Sequence, residues 1–191
     1  VRLIPWQDIN SGFLDVVPID AFTRVVETAY PLRHEFRFDE DGIAGDFEVL
    51  ICRFGDGVIC TGKHFLGYGL SEGGLNHAPV HLGPRELREV FAEPFAAAIR
   101  DAGLASIMNS YASVDGLPCA GSAAILTGLL RDELGFAGLV VADYFSVDML
   151  CTHHRTAADQ GEAAVQALQA GLDMELPSTE CFGEPLRAAV D

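Results

Sequence analysis

The chain has 191 residues and a net charge of −16, with 28 acidic and 12 basic side chains. This charge disfavours nucleic acid and acidic membrane surfaces as partners, since both bind basic protein surfaces. Hydrophobic residues make up 49% of the chain and charged residues 21%, which indicates a folded globular protein rather than a disordered one. No apolar run approaches the length of a membrane-spanning helix.

The cysteines and histidines form no pattern that would hold a metal ion. Five cysteines are scattered without a C-x-x-C pair, and neither their odd number nor their spacing fits a metal site. We therefore expect reduced thiols in a reducing compartment. Since the opening VRLIPWQD is not a basic-then-apolar leader, we also expect a cytoplasmic location. The histidines lack ligand spacing, so we expect neither a metal nor an organic cofactor.

Residues 1–57 form the least regular part of the sequence. An apolar run predicts a strand at Phe13–Val17, which Pro18 ends, and amphipathic spacing predicts a helix at Ala21–Ala29. The remainder mixes both charge signs with apolar pairs and predicts no definite element.

From Val58 onward, apolar runs alternate with segments of helical spacing. The first pair is a strand at Val58–Phe65 and, after a glycine-rich loop, a helix that begins near Pro84. Pro94 should kink or split this helix, and Gly103 should end it. Three more strand–helix pairs follow, with strands at Ala105–Tyr111, Leu139–Tyr144 and Leu172–Pro177 and helices at Ala123–Leu134, Gln160–Ala170 and Glu184–Val190.

This alternation predicts an α/β fold with a parallel sheet and right-handed crossovers. Neither of the glycine-rich nucleotide-binding fingerprints is present, which leaves a (β/α)8 TIM-like barrel as the expected architecture. Such a barrel needs about 250 residues, and only about five strand–helix units can be counted here. We therefore expect residues 1–191 to form part of one barrel domain, divergent over 1–57.

Polar and aromatic side chains, together with one methionine, lie where three of the predicted strands end. The carboxyl ends of parallel strands share one edge of a sheet, so these side chains predict a site at that edge. Taken alone, Asp143 would also fit a turn or helix cap, and Lys63 with His64 would also fit a structural ion pair. The side chains in question are Lys63, His64, Met108, Tyr111, Asp143 and Tyr144.

Several longer motifs resemble glycoside hydrolase family 3, the β-glucosidase and β-xylosidase type. In chain order they are GVICTGKHFLGYG, EGGLNHAPVHLGPRELREVF, IMNSYASVDGLPCA, LLRDELGFAGLVVADYFSV and ALQAGLDMELP, all between about residues 57 and 191. The resemblance implies a TIM-like catalytic barrel whose nucleophile is the aspartate after a V-V strand, here Asp143 in VVADY. The reaction would be retaining hydrolysis of terminal β-D-glucosyl or β-D-xylosyl residues, with a small β-linked oligosaccharide or aryl glycoside as substrate.

The resemblance also implies the residues that hold the sugar. Lys63 and His64 of KHF would bind its hydroxyls, and Met108 with Tyr111 of IMNSY would line the same subsite. Tyr144 would flank the sugar. Arg24 would correspond to a sugar-binding arginine, although IDAFTRVVET otherwise keeps only Glu27-Thr28 of that family motif.

The second carboxyl group that a retaining glycosidase needs is not evident in the sequence. In most of the family the acid/base comes from a second domain downstream, so we expect it outside this chain, together with further barrel strands. The N-acetylglucosaminidase branch uses a barrel histidine where this chain has Tyr68, which disfavours that branch. Glu72 and His77 are further acid candidates in the chain, and Glu72 is also a candidate substrate contact.

Two other functions remain open from the sequence. The first is a catalytically inactive sugar-binding or remnant module of the same fold, which would keep Lys63, His64 and Asp143 without an acid. The second is a lyase that uses Lys63 as a Schiff base, which would leave the VVADY motif unexplained.

Overall fold

The computed structural model describes Ile59 and residues 61–190. The chain divides into two units, Val1–Gly42 and Ile43–Asp191, and every described residue belongs to the second. The predicted strand Phe13–Val17, the predicted helix Ala21–Ala29 and Arg24 lie outside the described residues.

The described residues contain five strands, two of which the sequence did not predict. In chain order they are β1 (Thr61–Phe65), β2 (Ser106–Asn109), β3 (Ser113–Val114), β4 (Leu117–Pro118) and β5 (Leu139–Val141). Three of them form a parallel sheet in the order β1-β2-β5, which confirms the expected parallel α/β character. The register places Ile107 beside Val140, and both are fully buried.

The small antiparallel pair β3–β4 lies where we expected only a loop. Asp115 and Gly116 connect the two strands with φ angles of 50° and 81°. Two consecutive positive φ angles in a two-residue connection are typical of the hairpin turns that Asp-Gly favours. The Asp-Gly pair was therefore the signal for this hairpin.

The prediction of a regular strand at Leu172–Pro177 was wrong. This segment forms a single parallel bridge, between Met174 and Val141, with Ala142 N–H donating to the Met174 carbonyl at 2.8 Å. Beyond the bridge, the Phe145 N–H donates to the Leu176 carbonyl at 3.0 Å, and Glu175 turns its buried carboxylate to the following loop. There it accepts hydrogen bonds from the N–H groups of Cys181 and Phe182, the latter at 2.7 Å.

The helices lie close to their predicted places. Pro94 does split the first helical segment, because the helix is interrupted at Ala92 and a new one begins with Pro94 in its first turn. Gly103 ends that helix with φ 64°, as predicted. The helical segments are Pro84–Glu86, Glu93–Ala102, Met149–Thr152, Gln160–Ala170 and Glu184–Val190, with π-helices at Leu87–Phe91 and Ala124–Glu133 and 3-10 turns at Tyr68–Leu70, Glu72–Gly74 and Cys119–Gly121.

Helices and sheet share one hydrophobic core. Phe95 of helix Glu93–Ala102 packs edge-on against Phe65 of β1, with ring centroids 5.0 Å apart, and both are almost fully buried. Helix Gln160–Ala170 contributes small side chains to the same core, including the fully buried Ala164 and Ala167. Among the described residues, no helix is both long and apolar enough to span a membrane.

Gly138 is expected to be essential for the approach of β5 to β2. A Cβ atom there would lie 2.3 Å from the carbonyl oxygen of Ala105 and 2.7 Å from the ring of Phe136. Because the backbone cannot yield easily, we expect Gly138→Ala to lower the free energy of unfolding by about 2–4 kcal/mol in urea titrations. Gly83→Ala is the matched control, since a Cβ there meets open space. Equal losses in the two variants would contradict this account.

Candidate functional site

The candidate site lies at the carboxyl ends of β1, β2 and β5. Lys63 and His64 lie in β1, whereas Tyr111 and Asp143 each lie two residues beyond the strands that precede them. We predicted that the strands would extend to Tyr111 and to Tyr144, so the structure places these side chains in the turns after the strands. Adjacent parallel strands bring the three segments together.

Asp143 is buried, with only 8% of its surface exposed. Its Oδ1 atom accepts a hydrogen bond of 2.8 Å from the main-chain N–H of Tyr144. Its Oδ2 atom lies 3.3 Å from His64 Nε2 but accepts no hydrogen bond within the described part of the chain. Buried carboxylate oxygens are nearly always satisfied, so an unsatisfied one indicates a position where a ligand would bind or react.

His64 is held beside this oxygen as a neutral ring. Its ring lies 4.7 Å from that of Tyr68, measured between centroids. The pKa of His64 is lowered to about 4, mainly by burial; the negative charge of Asp143 opposes this shift, and the positive charge of Lys63 adds to it. A neutral imidazole near pH 7 can both donate and accept a hydrogen bond, which suits a contact with a hydroxyl group.

Acidification is expected to destabilise the fold through His64. Between its ordinary value of 6.5 and its folded value of about 4, the unfolded chain binds a proton at this ring and the folded chain does not. Stability is therefore fully present above about pH 6.5 and is lost as the pH falls towards 4. We expect a loss of about 1–3 kcal/mol in urea unfolding across this window. His64→Asn should lack this part of the pH dependence, and an identical pH dependence in both proteins would contradict the assignment.

Tyr111 bridges the second and third segments of the site. Its hydroxyl donates a hydrogen bond of 2.8 Å to the carbonyl oxygen of Tyr144. Burial raises the pKa of Tyr111, and the negative charge of Asp143 raises it further. The phenol therefore stays protonated and remains a donor. Tyr144 itself is 53% exposed beside the carboxylate.

Three histidines lie around Tyr111, of which the sequence analysis named only His77, as an acid candidate. The His77 ring packs on the Tyr111 ring with centroids 4.8 Å apart, and His153 packs between His77 and His154. His154 Nε2 lies 3.1 Å from the Tyr111 carbonyl oxygen. Burial lowers the pKa of His154, and the neighbouring His153 lowers it further. In the described residues, no group of three or more His, Cys, Asp or Glu side chains could hold a metal ion.

The remaining predicted residues are less closely tied to Asp143. Glu72 is exposed and pairs with His81 at 2.9 Å, in the turn that follows Tyr68. Met108 is partly buried in β2, where it pairs with Val141. Arg24 is not among the described residues. Their contacts with substrate stay predictions.

Asn109 belongs to the site and was missed from the sequence. It is the last residue of β2 and is fully buried. Its side-chain oxygen accepts a hydrogen bond of 3.1 Å from the main-chain N–H of Asp143. The signal was an amide directly after the apolar pair Ile107–Met108, because a polar side chain at a buried strand end needs a partner.

Fold and site together define an α/β protein with a carboxylate, an imidazole and a phenol at the carboxyl edge of a parallel sheet. Comparison with known proteins gives the family. Residues 41–191 match the model of the glycosyl hydrolase family 3 N terminal domain, and the chain belongs to this family.

The similar proteins are glycosidases by name. A β-xylosidase of Formosa agariphila is 43% identical over 119 residues, and a lysosomal β-glucosidase of Dictyostelium discoideum is 39% identical over 119 residues; each alignment covers 62% of this chain. The crystal structure of a β-glucosidase from Listeria innocua superposes with a TM-score of 0.65 at 32% identity and covers 69% of this chain. The same enzyme was also solved with glucose and, as a mutant, with laminaribiose. The alignments cover only 16%, 14% and 18% of these proteins, respectively.

Proposed function

We propose that this chain is part of the catalytic barrel of a retaining β-glycosidase that removes terminal β-D-glucosyl or β-D-xylosyl residues. The observation that carries the proposal is the buried Oδ2 atom of Asp143, which accepts no hydrogen bond from the described residues. Oδ1 is held by the Tyr144 N–H, whereas Oδ2, 3.3 Å from His64 Nε2, is the oxygen left to attack a substrate. The relatives' names support the class of substrate.

In the first step Asp143 Oδ2 would attack the anomeric carbon as the bond to the leaving group breaks. The carboxylate then carries the sugar as an ester. Water later displaces the carboxylate with a second inversion, so the product keeps the β configuration of the substrate. Lys63 lies in β1, where its charge reaches His64 and favours an anionic nucleophile nearby. We assign Lys63 and the neutral His64 to hydroxyl groups of the sugar.

Tyr111 and Tyr144 would form the wall of the same subsite. The Tyr111 hydroxyl donates to the main-chain carbonyl of Tyr144, so the Tyr111 ring is held next to the segment that carries the nucleophile. The exposed ring of Tyr144 offers a face to the C–H groups of a sugar. We keep Arg24 and Met108 as further contacts in this proposal.

The proposal places the acid/base outside residues 61–190. Glu72 is exposed and paired with His81, and His77 packs against Tyr111. We therefore assign neither residue as the acid. The partners required would be the remaining barrel strands and a further domain that carries the acid.

Aryl β-glucosides and β-xylosides test the proposal, with the chain in its complete natural polypeptide. An activated phenol leaves with little help from an acid, so turnover depends mainly on the nucleophile. We expect hydrolysis in which proton NMR detects the β-anomer of the sugar first. Sugar binding without any turnover would contradict the proposal and favour an inactive sugar-binding module, and first appearance of the α-anomer would exclude retention.

A further inference from the structure

We propose that Asn109 is a positioning residue that holds the main chain at Asp143, so that its Oδ2 atom faces the substrate. The inference rests on the proposed role of Asp143 as nucleophile. Asn109 would not touch the sugar itself, because its side chain is fully buried and its partners are all protein groups.

The amide of Asn109 is engaged on both sides. Its Oδ1 accepts two hydrogen bonds, from the Asp143 N–H at 3.1 Å and from the Ser146 hydroxyl at 3.2 Å. Its Nδ2 donates to the Ser110 carbonyl oxygen at 2.9 Å. The two hydrogen bonds that Oδ1 accepts hold both ends of the turn from Asp143 to Ser146. Within this turn, the Ser146 N–H also donates to the Asp143 carbonyl at 2.9 Å.

Asn109 also connects this turn to the strand that bears His64. Asn109 pairs with Phe65 of β1, and the N–H of the next residue, Ser110, donates to the Phe65 carbonyl at 2.6 Å. One residue therefore sits between the two segments whose side chains meet at Asp143 Oδ2 and His64 Nε2. A shift at Asn109 would change the distance between those two atoms.

Position 109 requires an uncharged side chain that accepts two hydrogen bonds and donates one. Alanine would leave the Asp143 N–H and the Ser146 hydroxyl without their acceptor in a buried place. An ionised aspartate would place a carboxylate oxygen against the Ser110 carbonyl and a second negative charge beside Asp143. A protonated aspartic acid, in contrast, could accept both hydrogen bonds and donate the third, as asparagine does.

The test measures how fast an activated 2-deoxy-2-fluoro-β-glycoside labels Asp143, per folded molecule, in the complete natural polypeptide. We expect Asn109→Ala to label about 10–100-fold more slowly than wild type at every pH, since small displacements of a reacting group cost rates of this order. We expect Asn109→Asp to be slow near pH 8 and to approach the wild-type rate towards pH 5, where its side chain takes up a proton. Circular dichroism gives the folded fraction used for normalisation.

Thr127→Val is the matched control. The Thr127 hydroxyl donates to the Ala170 carbonyl at 2.9 Å in a partly buried place on the π-helix Ala124–Glu133, so its loss should cost stability but leave the labelling rate unchanged. Wild-type labelling rates for folded Asn109→Ala would overturn the inference, as would an Asn109→Asp rate that keeps the same ratio to wild type at pH 5 and pH 8. If wild type is not labelled, the proposed role of Asp143 fails, and this inference fails with it.

Discussion

Asp143→Asn is expected to lower kcat for an aryl β-glycoside by about 10⁴-fold or more, while the protein stays folded. The amide has nearly the shape of the carboxylate and its oxygen can still accept the Tyr144 N–H, so the turn should persist. The amide carries no negative charge and is a very weak nucleophile. Removal of a covalent nucleophile typically leaves only the contribution of binding and electrostatic stabilisation.

Asp148→Asn is the control for this experiment. Asp148 lies five positions further along the same segment, where its carboxylate accepts from the Thr152 hydroxyl at 3.0 Å and from the Gln160 amide at 2.9 Å. We expect its kcat to remain within about threefold of wild type, since these contacts join Asp148 to Thr152 and Gln160 and do not involve the proposed nucleophile. A kcat for Asp143→Asn above one hundredth of wild type would contradict the assignment.

Azide adds a stereochemical check on the same residue. In Asp143→Gly, a small anion can occupy the space that the carboxylate leaves and attack from the same face of the sugar. We expect azide to restore turnover of an activated aryl β-glycoside and to yield the α-glycosyl azide. Restored turnover that gives a β-glycosyl azide would mean that Asp143 does not occupy the nucleophile's face.

Lys63→Met is expected to lower kcat/KM by about 10²–10³-fold. A preorganised charged donor aimed at a hydroxyl contributes most when that hydrogen bond strengthens in the transition state. Methionine keeps much of the length and apolar stem of lysine, so packing around β1 should change little. Arg85→Met is the matched control, since Arg85 is an exposed cation paired with Glu89 on the first helical segment.

A double-mutant cycle identifies the hydroxyl that Lys63 serves. We expect the cost of Lys63→Met to shrink strongly on one of the 2-, 3-, 4- or 6-deoxy aryl glycosides, because that substrate already lacks the group that Lys63 binds. An equal cost on all four substrates would show that Lys63 acts through the structure and not through a sugar hydroxyl.

The strands of the parallel sheet could be predicted because burial on both faces leaves continuous apolar runs. Leu139–Val141 lies inside such a run, and Thr61–Phe65 begins directly after one, Val58–Cys60. The strand ends could not be placed to the residue, since the runs continue into turns whose hydrogen bonds depend on neighbouring segments. Tyr111 and Asp143 were therefore named correctly as residues near the edge of the sheet but assigned to strands rather than turns.

The contacts that organise the site were harder to predict. Asn109 lies in the sequence between Met108 and Tyr111, which we did predict. Its role depends on a hydrogen bond from the Asp143 N–H, in a loop more than thirty positions away. The pairing of Glu72 with His81 and the packing of His153 on His77 likewise depend on how loops meet in space. Local periodicity holds no information on such contacts, because it reports only which face of an element is buried.

Covalent labelling of Asp143 tests the central claim most directly. The complete natural polypeptide would be incubated with an activated 2-deoxy-2-fluoro-β-glucoside or β-xyloside, whose fluorine slows release of the sugar from the nucleophile. We predict a mass increase of one fluorosugar per chain, which peptide mapping locates on the segment that contains Asp143 and which is absent in Asp143→Asn. A sugar located on Glu72 or on any other residue, or turnover of the unmodified glycoside without any trapped sugar, would contradict the account.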